Sequence, residues 1–472
     1  MPGLMPMDRM PWRQYPWPNN GWEVTDMKER WITISPDADE KQEKWLETWA
    51  AGDRIKFEGE EAKAKYLEKT RIIKDAIQLK KTPERIPIAP SMGYFPLEYA
   101  GVSPYEAMYD PEKALKAAEK CLNDFEQDVF AGAGGMPGSV LDILDLKMYQ
   151  WPGHGVSKNR EFQYVEGEYM RADEYQDLID DPTAWFLTRY FPRVFGSLKG
   201  FELLPVMPSI NEIVLVNGLA IPFAAPDLQK ALTSLMEAGQ VAMDWGKKTA
   251  PFTRSVLAKG YPAMGGGFAK APFDVLGDTL RGTQQIMMDL FRYPDEVKEA
   301  CERLAPIMVK TAVTAAKRSG SPFIGMPLHK GADGFMSEKQ FLAFYWPTLR
   351  KVLIGIMDEG LIPMPFAEGG YNSRLEIISD LPKGKTIWMF DQTDMGRAKE
   401  TIGKVACIKG NVPLDLMCTG TPQEVMAYCK TLMEVAGKDG GYIFSTGAGL
   451  QGAKVENVRA LFDAGKAFGK VV

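Results

Sequence analysis

Pro327-Leu328-His329, Pro365-Phe366-Ala367-Glu368-Gly369, Phe390-Asp391-Gln392, Gly410-Asn411-Val412-Pro413 and Ser445-Thr446-Gly447-Ala448-Gly449 close five short apolar runs in the last third of a 472-residue chain. Amphipathic stretches of helix length separate them. Apolar runs of this size are how buried parallel strands read, and the intervening helices supply right-handed crossovers. Repeated β-α units with polar residues at the run ends mean a closed barrel or a doubly wound sheet. In either case the carboxyl ends of the strands build the site, so His329, Glu368, Asp391 and Asn411 are expected to converge.

Composition narrows the class. With 45% hydrophobic and 25% charged residues the chain can bury a large core, and a net charge of −6 gives no footprint for nucleic acid. No run approaches the ~18 apolar residues that span a bilayer. Met1 to Asp8 has prolines and an acid where a secretory signal needs a basic region and an apolar block, so a cytoplasmic location is expected. The five cysteines form no Cys-x-x-Cys pair, which argues for reduced, buried thiols. Only His154 and His329 supply imidazoles, so a three-histidine metal site is excluded.

Residues 1–84 read as an N-terminal extension. A Pro-, Trp- and Met-rich arm over 1–35 is suited to docking on the barrel or on a second copy in a homodimer. One or two charged surface helices follow over 37–82. Residues 85–472 read as the catalytic domain, opening with Arg85-Ile86-Pro87-Ile88-Ala89-Pro90. The pattern predicts helices over Pro111–Leu122, 226–246 and 294–318, a strand over Asp128–Ala131, and an inserted hairpin within 150–171. The glycines of 132–138 lack phosphate-loop spacing and read as a tight turn. Asp274 reads as a helix cap, and Asp391 as either a cap or a site residue. His154, between two glycines, reads as a turn residue.

Several segments resemble the uroporphyrinogen decarboxylase superfamily. They are Ala271-Pro272-Phe273-Asp274, Leu280-Arg281-Gly282, Met287 to Asp295, Gly334 to Phe341 with Trp346-Pro347, and Gly410 to Pro413 with Gly420 to Val425. The resemblance covers roughly Ile86 to Val472 and implies an α/β fold, a (β/α)8 TIM-type barrel with an N-terminal helical extension. The superfamily holds decarboxylases and corrinoid-linked methyltransferases. Its thiol methyltransferases carry a zinc site whose His, Cys and Cys correspond here to Phe366, Glu368 and Ala448, so thiol activation by soft zinc ligation is not expected. Its decarboxylases clamp carboxylates with N-terminal arginines, and the matching segment Ile88 to Tyr94 has none.

Trp151-Pro152-Gly153-His154-Gly155 and Val165-Glu166-Gly167-Glu168-Tyr169-Met170 are similar to the O-demethylase branch. That branch implies an enzyme that demethylates a methoxylated aromatic and passes the methyl group to cobalamin on a separate corrinoid protein. A leaving phenolate, reference pKa ~10, needs an electrophile or a proton donor. His329, Glu368 and Asp391 could hold zinc with one open position. Without metal, a buried Glu368 would donate the proton, with His329 or Tyr371 as hydrogen-bond partner. Met92, Tyr94, Asn211, Met326, Phe366 and Asn411 are the expected substrate contacts. The alternatives are another methyl donor, or decarboxylation of a tetrapyrrole or small acid with an aspartate such as Asp128 loading the proton.

Overall fold

The computed structural model describes residues 33–130, 132, 135–205 and 212–470. Six parallel strands pair in chain order: β1 (Gly267–Phe268), β2 (Phe323–Leu328), β3 (Ile362–Ala367), β4 (Ile387–Phe390), β5 (Cys407–Val412) and β6 (Tyr442–Thr446). Two further segments close the ring. Ala89 N donates to Phe444 O at 2.9 Å, Asp128 N to Ile88 O at 2.8 Å, and Phe130 N to Pro262 O at 2.8 Å. With the parallel bridges Ile88 to Phe444 and Phe130 to Ala263, the six strands and these two segments form an eight-membered parallel barrel.

Side chains alternate across each strand, and the two faces join different cores. Ile324, Met326, Leu328, Trp388, Phe390, Ile408, Tyr442 and Phe444 point outward into the large core beneath the helices. Phe323, Ile362, Ile387, Cys407 and Ile443 point inward and form an apolar floor with Ala89 and Val129. Met326 is therefore a helix-packing residue, 1% exposed, and not the substrate contact expected from the sequence. Its neighbours two residues from the floor positions, Met364 and Met389, face inward instead.

The helices expected on the surface of the N-terminal extension have a different role. α1 (Ala38–Ala51) and α2 (Glu60–Gln78) insert Leu46, Trp49, Ile72, Ile73, Ala76 and Ile77 into the floor. Trp49 meets Phe323 edge to face at 4.9 Å and donates its indole N–H to Ala263 O at 3.0 Å. Their charged faces look outward and their apolar stripe seals the amino-terminal end of the barrel. The Trp-rich arm lies almost wholly outside the described residues.

The link from the second barrel segment to β1 carries the inserted hairpin and a long helix, α3 (Pro226–Ala258). The hairpin pairs Tyr149–Pro152 with Gln163–Tyr164 in antiparallel register. Arg281 anchors the chain beyond it, with Glu168 at 2.5 Å and Asp289 at 2.6 Å. Among the crossovers, α4 (Pro294–Ser319) has proline in its first turn with Asp295 and Glu296. It ends on Lys317, Arg318 and a left-handed Gly320, so its charges oppose the helix dipole at both ends. No helix among the described residues is long and apolar enough to cross a membrane.

Replacing Trp49 by alanine should destabilise the fold by about 3–5 kcal/mol, the cost of emptying a large aromatic site in a packed floor. Urea unfolding would read it as a lower midpoint at unchanged slope; an unshifted midpoint would mean the helices do not hold the barrel closed.

Candidate active site

The inward columns of the strands end in polar residues. Two residues beyond Pro327 and Phe366 on β2 and β3 come His329 and Glu368, whose Nε2 and Oε1 lie 3.4 Å apart. Next along the rim, the Asp391 carboxylate accepts the Gly369 N–H at 3.2 Å. Asn411 Nδ2 then donates to Asp391 O at 3.0 Å and Thr393 O at 2.7 Å. The four residues expected to converge do so, through contacts between adjacent strand ends. Beside Asp391 and Asn411 opens a cleft of ≈ 1310 Å³, bordered by Pro413, Tyr428 and Ala448.

His329 is held from below by a cluster that the sequence did not single out. Its Nδ1–H donates to Asp278 Oδ2 at 2.5 Å. Lys270 and Lys330 also reach the Asp278 carboxylate, at 2.8 and 3.2 Å. One helical turn earlier, Asp274 has no exposed surface. It accepts the His329 N–H at 3.1 Å, the Lys330 N–H at 2.9 Å and the Tyr345 hydroxyl at 2.8 Å. Asp274 therefore caps no helix. It fixes the backbone that carries the histidine, while Asp278 fixes the ring. The spacing of Asp274 and Asp278, four apart in a helical turn, was the available signal.

These contacts set the charge. Hydrogen bonds donated to Asp278 and then to Glu368 push the His329 imidazolium up to about 10, against the opposing effect of burial. Against burial, which raises it, the bonds and charges of His329 and Lys270 hold the Asp278 carboxyl well below the usual carboxylate range. Burial and the neighbouring Asp278 charge raise Asp274. Burial raises Asp391 as well. The site thus presents a cationic imidazole whose Nε2 meets the Glu368 carboxylate.

Other expectations need correction. The Glu368 side chain is 44% exposed and paired with His329, so it is not the buried carboxyl that the sequence suggested as proton donor. Tyr371 is fully buried, with its hydroxyl unpartnered behind Gly331, where an added Cβ would lie 2.4 Å from it. It has no contact with the opening. Asp394, not Asp391, caps the following helix, accepting the Gly396 and Arg397 N–H groups at 2.8 and 3.0 Å. Asp333, which from the sequence could replace Asp391 as a metal ligand, is engaged by Ser373 at 2.8 Å. His154 bonds the Tyr109 hydroxyl at 3.1 Å and stacks on Trp151, consistent with a turn role.

Met92 is buried in the outer core, and Tyr94 lines a separate apolar cavity of ≈ 380 Å³ with Leu97, Met108, Met136 and Phe162. Phe366 lies on the inward column. Asn211 lies outside the described residues.

The expected zinc site does not assemble. Among the described residues no three His, Cys, Asp or Glu side chains are grouped to hold a metal ion. The His329 Nδ1 is taken by Asp278. The Asp391 carboxylate turns to the Gly369 amide, leaving His329 and Glu368 as a pair.

Asp128, at the opposite end of the barrel, is locked by Arg85 at 2.6 and 2.8 Å and by the Ile88 N–H at 2.7 Å. Its carboxylate holds two barrel segments together.

A closed parallel barrel with a charged constellation at the carboxyl ends of its strands defines a TIM-barrel enzyme class. The profile of the family Uroporphyrinogen decarboxylase (URO-D) matches residues 232–468, half of the chain, and the chain belongs to that family. Uroporphyrinogen decarboxylase of Anaeromyxobacter dehalogenans (strain 2CP-C) is 26% identical over 225 residues, 46% of this chain. The match covers 61% of that relative's length. A methyltransferase from Methanosarcina mazei superposes with a TM-score of 0.53 at 16% identity, covering 85% of this chain and 98% of the other. That likeness shows the shared barrel.

The linkage sign for His329 follows from its raised value. The pair with Asp278 stabilises the fold fully below the ~6.5 of an unperturbed imidazole, and the stabilisation fades as pH rises through about 10. With two histidines in the chain, NMR of histidine-labelled protein should show one ring still protonated at pH 9. Asp278→Asn should bring that titration down toward ~6.5; an unchanged midpoint would refute the assignment.

Proposed function

We propose that the protein is a methyltransferase that demethylates an aryl methyl ether, with the methyl group passing to a separate corrinoid protein. The observation that carries this reading is the His329 ring beyond the end of β2, held between Asp278 and Glu368 and so placed to give a proton to a leaving oxygen. A positioned general acid lowers the barrier to expelling a poor leaving group, and a phenolate, whose conjugate acid lies near ~10, is one. As the O–CH3 bond breaks, His329 Nε2–H gives its proton to the ether oxygen, and a neutral phenol departs. The methyl carbon leaves without the oxygen's electron pair. A corrinoid in the cob(I)alamin state, presented on the partner, would supply the nucleophile for it.

The chain's own residues serve the other requirements. Asp278 keeps the ring oriented and stabilises its charge, in the manner of a carboxylate behind a catalytic histidine. Lys270 and Lys330 limit the cost of that buried carboxylate. Glu368, whose side chain is 44% exposed, would have to yield its place against Nε2 to the ether oxygen, leaving Asp278 to hold the ring's charge. Met364, Met389 and Phe366 give the ring an apolar bed below. The decarboxylase alternative finds less support, because Asp128 is neutralised by Arg85 far from the opening.

His329→Gln should reduce demethylation of a methoxybenzoate by about 10²–10⁴-fold, followed as free phenol released in the presence of reduced corrinoid protein. The loss should shrink for ethers whose phenols are more acidic, because a better leaving group needs less help. A defect independent of leaving group, or carbon dioxide release without corrinoid protein, would overturn the proposal.

A further inference from the structure

The inward column of β5 reads Cys407, Lys409, Asn411, and that of β6 reads Ile443, Ser445. A lysine is the odd member of this lining. In register it is flanked by Met389 on β4 and Ile443 on β6. Other lysines set into this protein have partners. Lys69 donates to Gln127 O at 2.7 Å, and Lys385 donates to Gln42 at 3.2 Å and pairs with Asp39. Lys399 donates to Gly440 O, and Lys270 and Lys330 pair with Asp278. Lys409 makes no hydrogen bond or ion pair among the described residues.

No carboxylate offsets its burial, which pulls the ammonium down to about 8. Independently, the Ser445 hydroxyl is buried without a partner. Asn411 pairs in register with Ser445, so the hydroxyl sits one inward step above Ile443, diagonal to Lys409 on the neighbouring strand. Lys409 is partly buried and Ser445 fully buried; unpaired donors inside a barrel are costly, and two on adjoining inward positions mark where a ligand's countercharge belongs.

We infer that Lys409 and Ser445 form an anion pocket inside the barrel that binds a carboxylate on the substrate ring. Resting on the methyl-transfer reading above, this narrows the substrate class to methoxylated aromatic acids. The geometry suits one. Phe366, Met389 and Lys409 share a register row, and Glu368 stands two residues above Phe366 on β3. Two strand residues rise roughly 6.6 Å, about a benzene ring with a substituent at each end. The carboxylate would sit at Lys409, the ring against Met364, Met389 and Phe366, and the ether oxygen near His329 Nε2. Lys270 and Lys330 already neutralise Asp278, so they do not compete for the acid.

Calorimetric titration of the full-length protein with benzoate, 4-methoxybenzoate and methyl 4-methoxybenzoate tests the pocket without any methyl transfer. Both acids should bind about ten- to a hundredfold more tightly than the ester. Lys409→Met, which continues the methionine lining, should abolish that preference while leaving ester binding unchanged. Ser445→Ala should reduce it partially. Equal affinity for acid and ester, or acid binding unaffected in Lys409→Met, would overturn the pocket. Failure of the two readings is distinguishable. Lysine-dependent benzoate binding without demethylation of any methoxy acid would sink the methyl transfer alone, whereas demethylation of neutral methoxybenzene with no preference for acids would sink the pocket alone.

Discussion

Two carboxylates one helical turn apart hold the site together. Asp274, deprived of solvent, is satisfied only by the backbone amides of His329 and Lys330 and by the Tyr345 hydroxyl. Asp278 is satisfied by the His329 ring and two lysines. A buried carboxylate is tolerable only when its lone pairs are occupied, so the requirement runs both ways. The helix after β1 cannot bury these acids without the loop after β2, and that loop cannot present its imidazole without them. The position, tautomer and charge of His329 follow from one satisfied network, which the inserted hairpin buttresses through Tyr164 to Asp278 O and Glu166 to Thr283 N.

Around this network the barrel separates tasks by depth. Its floor is apolar and joined to α1 and α2. The middle layer is soft, with Met364 and Met389, and contains Lys409 as a lone charge. The rim is polar. Such grading is what period-two alternation in a closed barrel produces when each strand begins in the core and ends at solvent. Outward positions on the same strands are mostly apolar because helices cover them.

That alternation also explains which parts were legible in the sequence. β2 to β6 read clearly, since each is an apolar run ending in polar or small residues, and the convergence of His329, Glu368, Asp391 and Asn411 follows from strand ends alone. The direction of each side chain was harder to see. Met326 and Met364 look alike in sequence, and only register sends one outward and the other inward. α3 passes through Gly246 and Pro251 to Ala258 where the pattern suggested a stop at 246, because packing outweighs local propensity. Asp278 escaped notice because its partner lies 51 residues away, across a barrel crossover. Tyr371 looked catalytic from its place after Glu368-Gly369-Gly370, yet the turn carries it under the loop.

The sealed floor has a kinetic consequence. Among the described residues, a cylinder stoppered at one end by Trp49 and its neighbours is left open at the other, so small molecules and any macromolecule reaching for them would share that end. A protein seated over that doorway would shut its cargo inside. If the proposed reaction holds, traffic would follow one timetable, with the aromatic arriving before the visitor docks and departing after the visitor has gone.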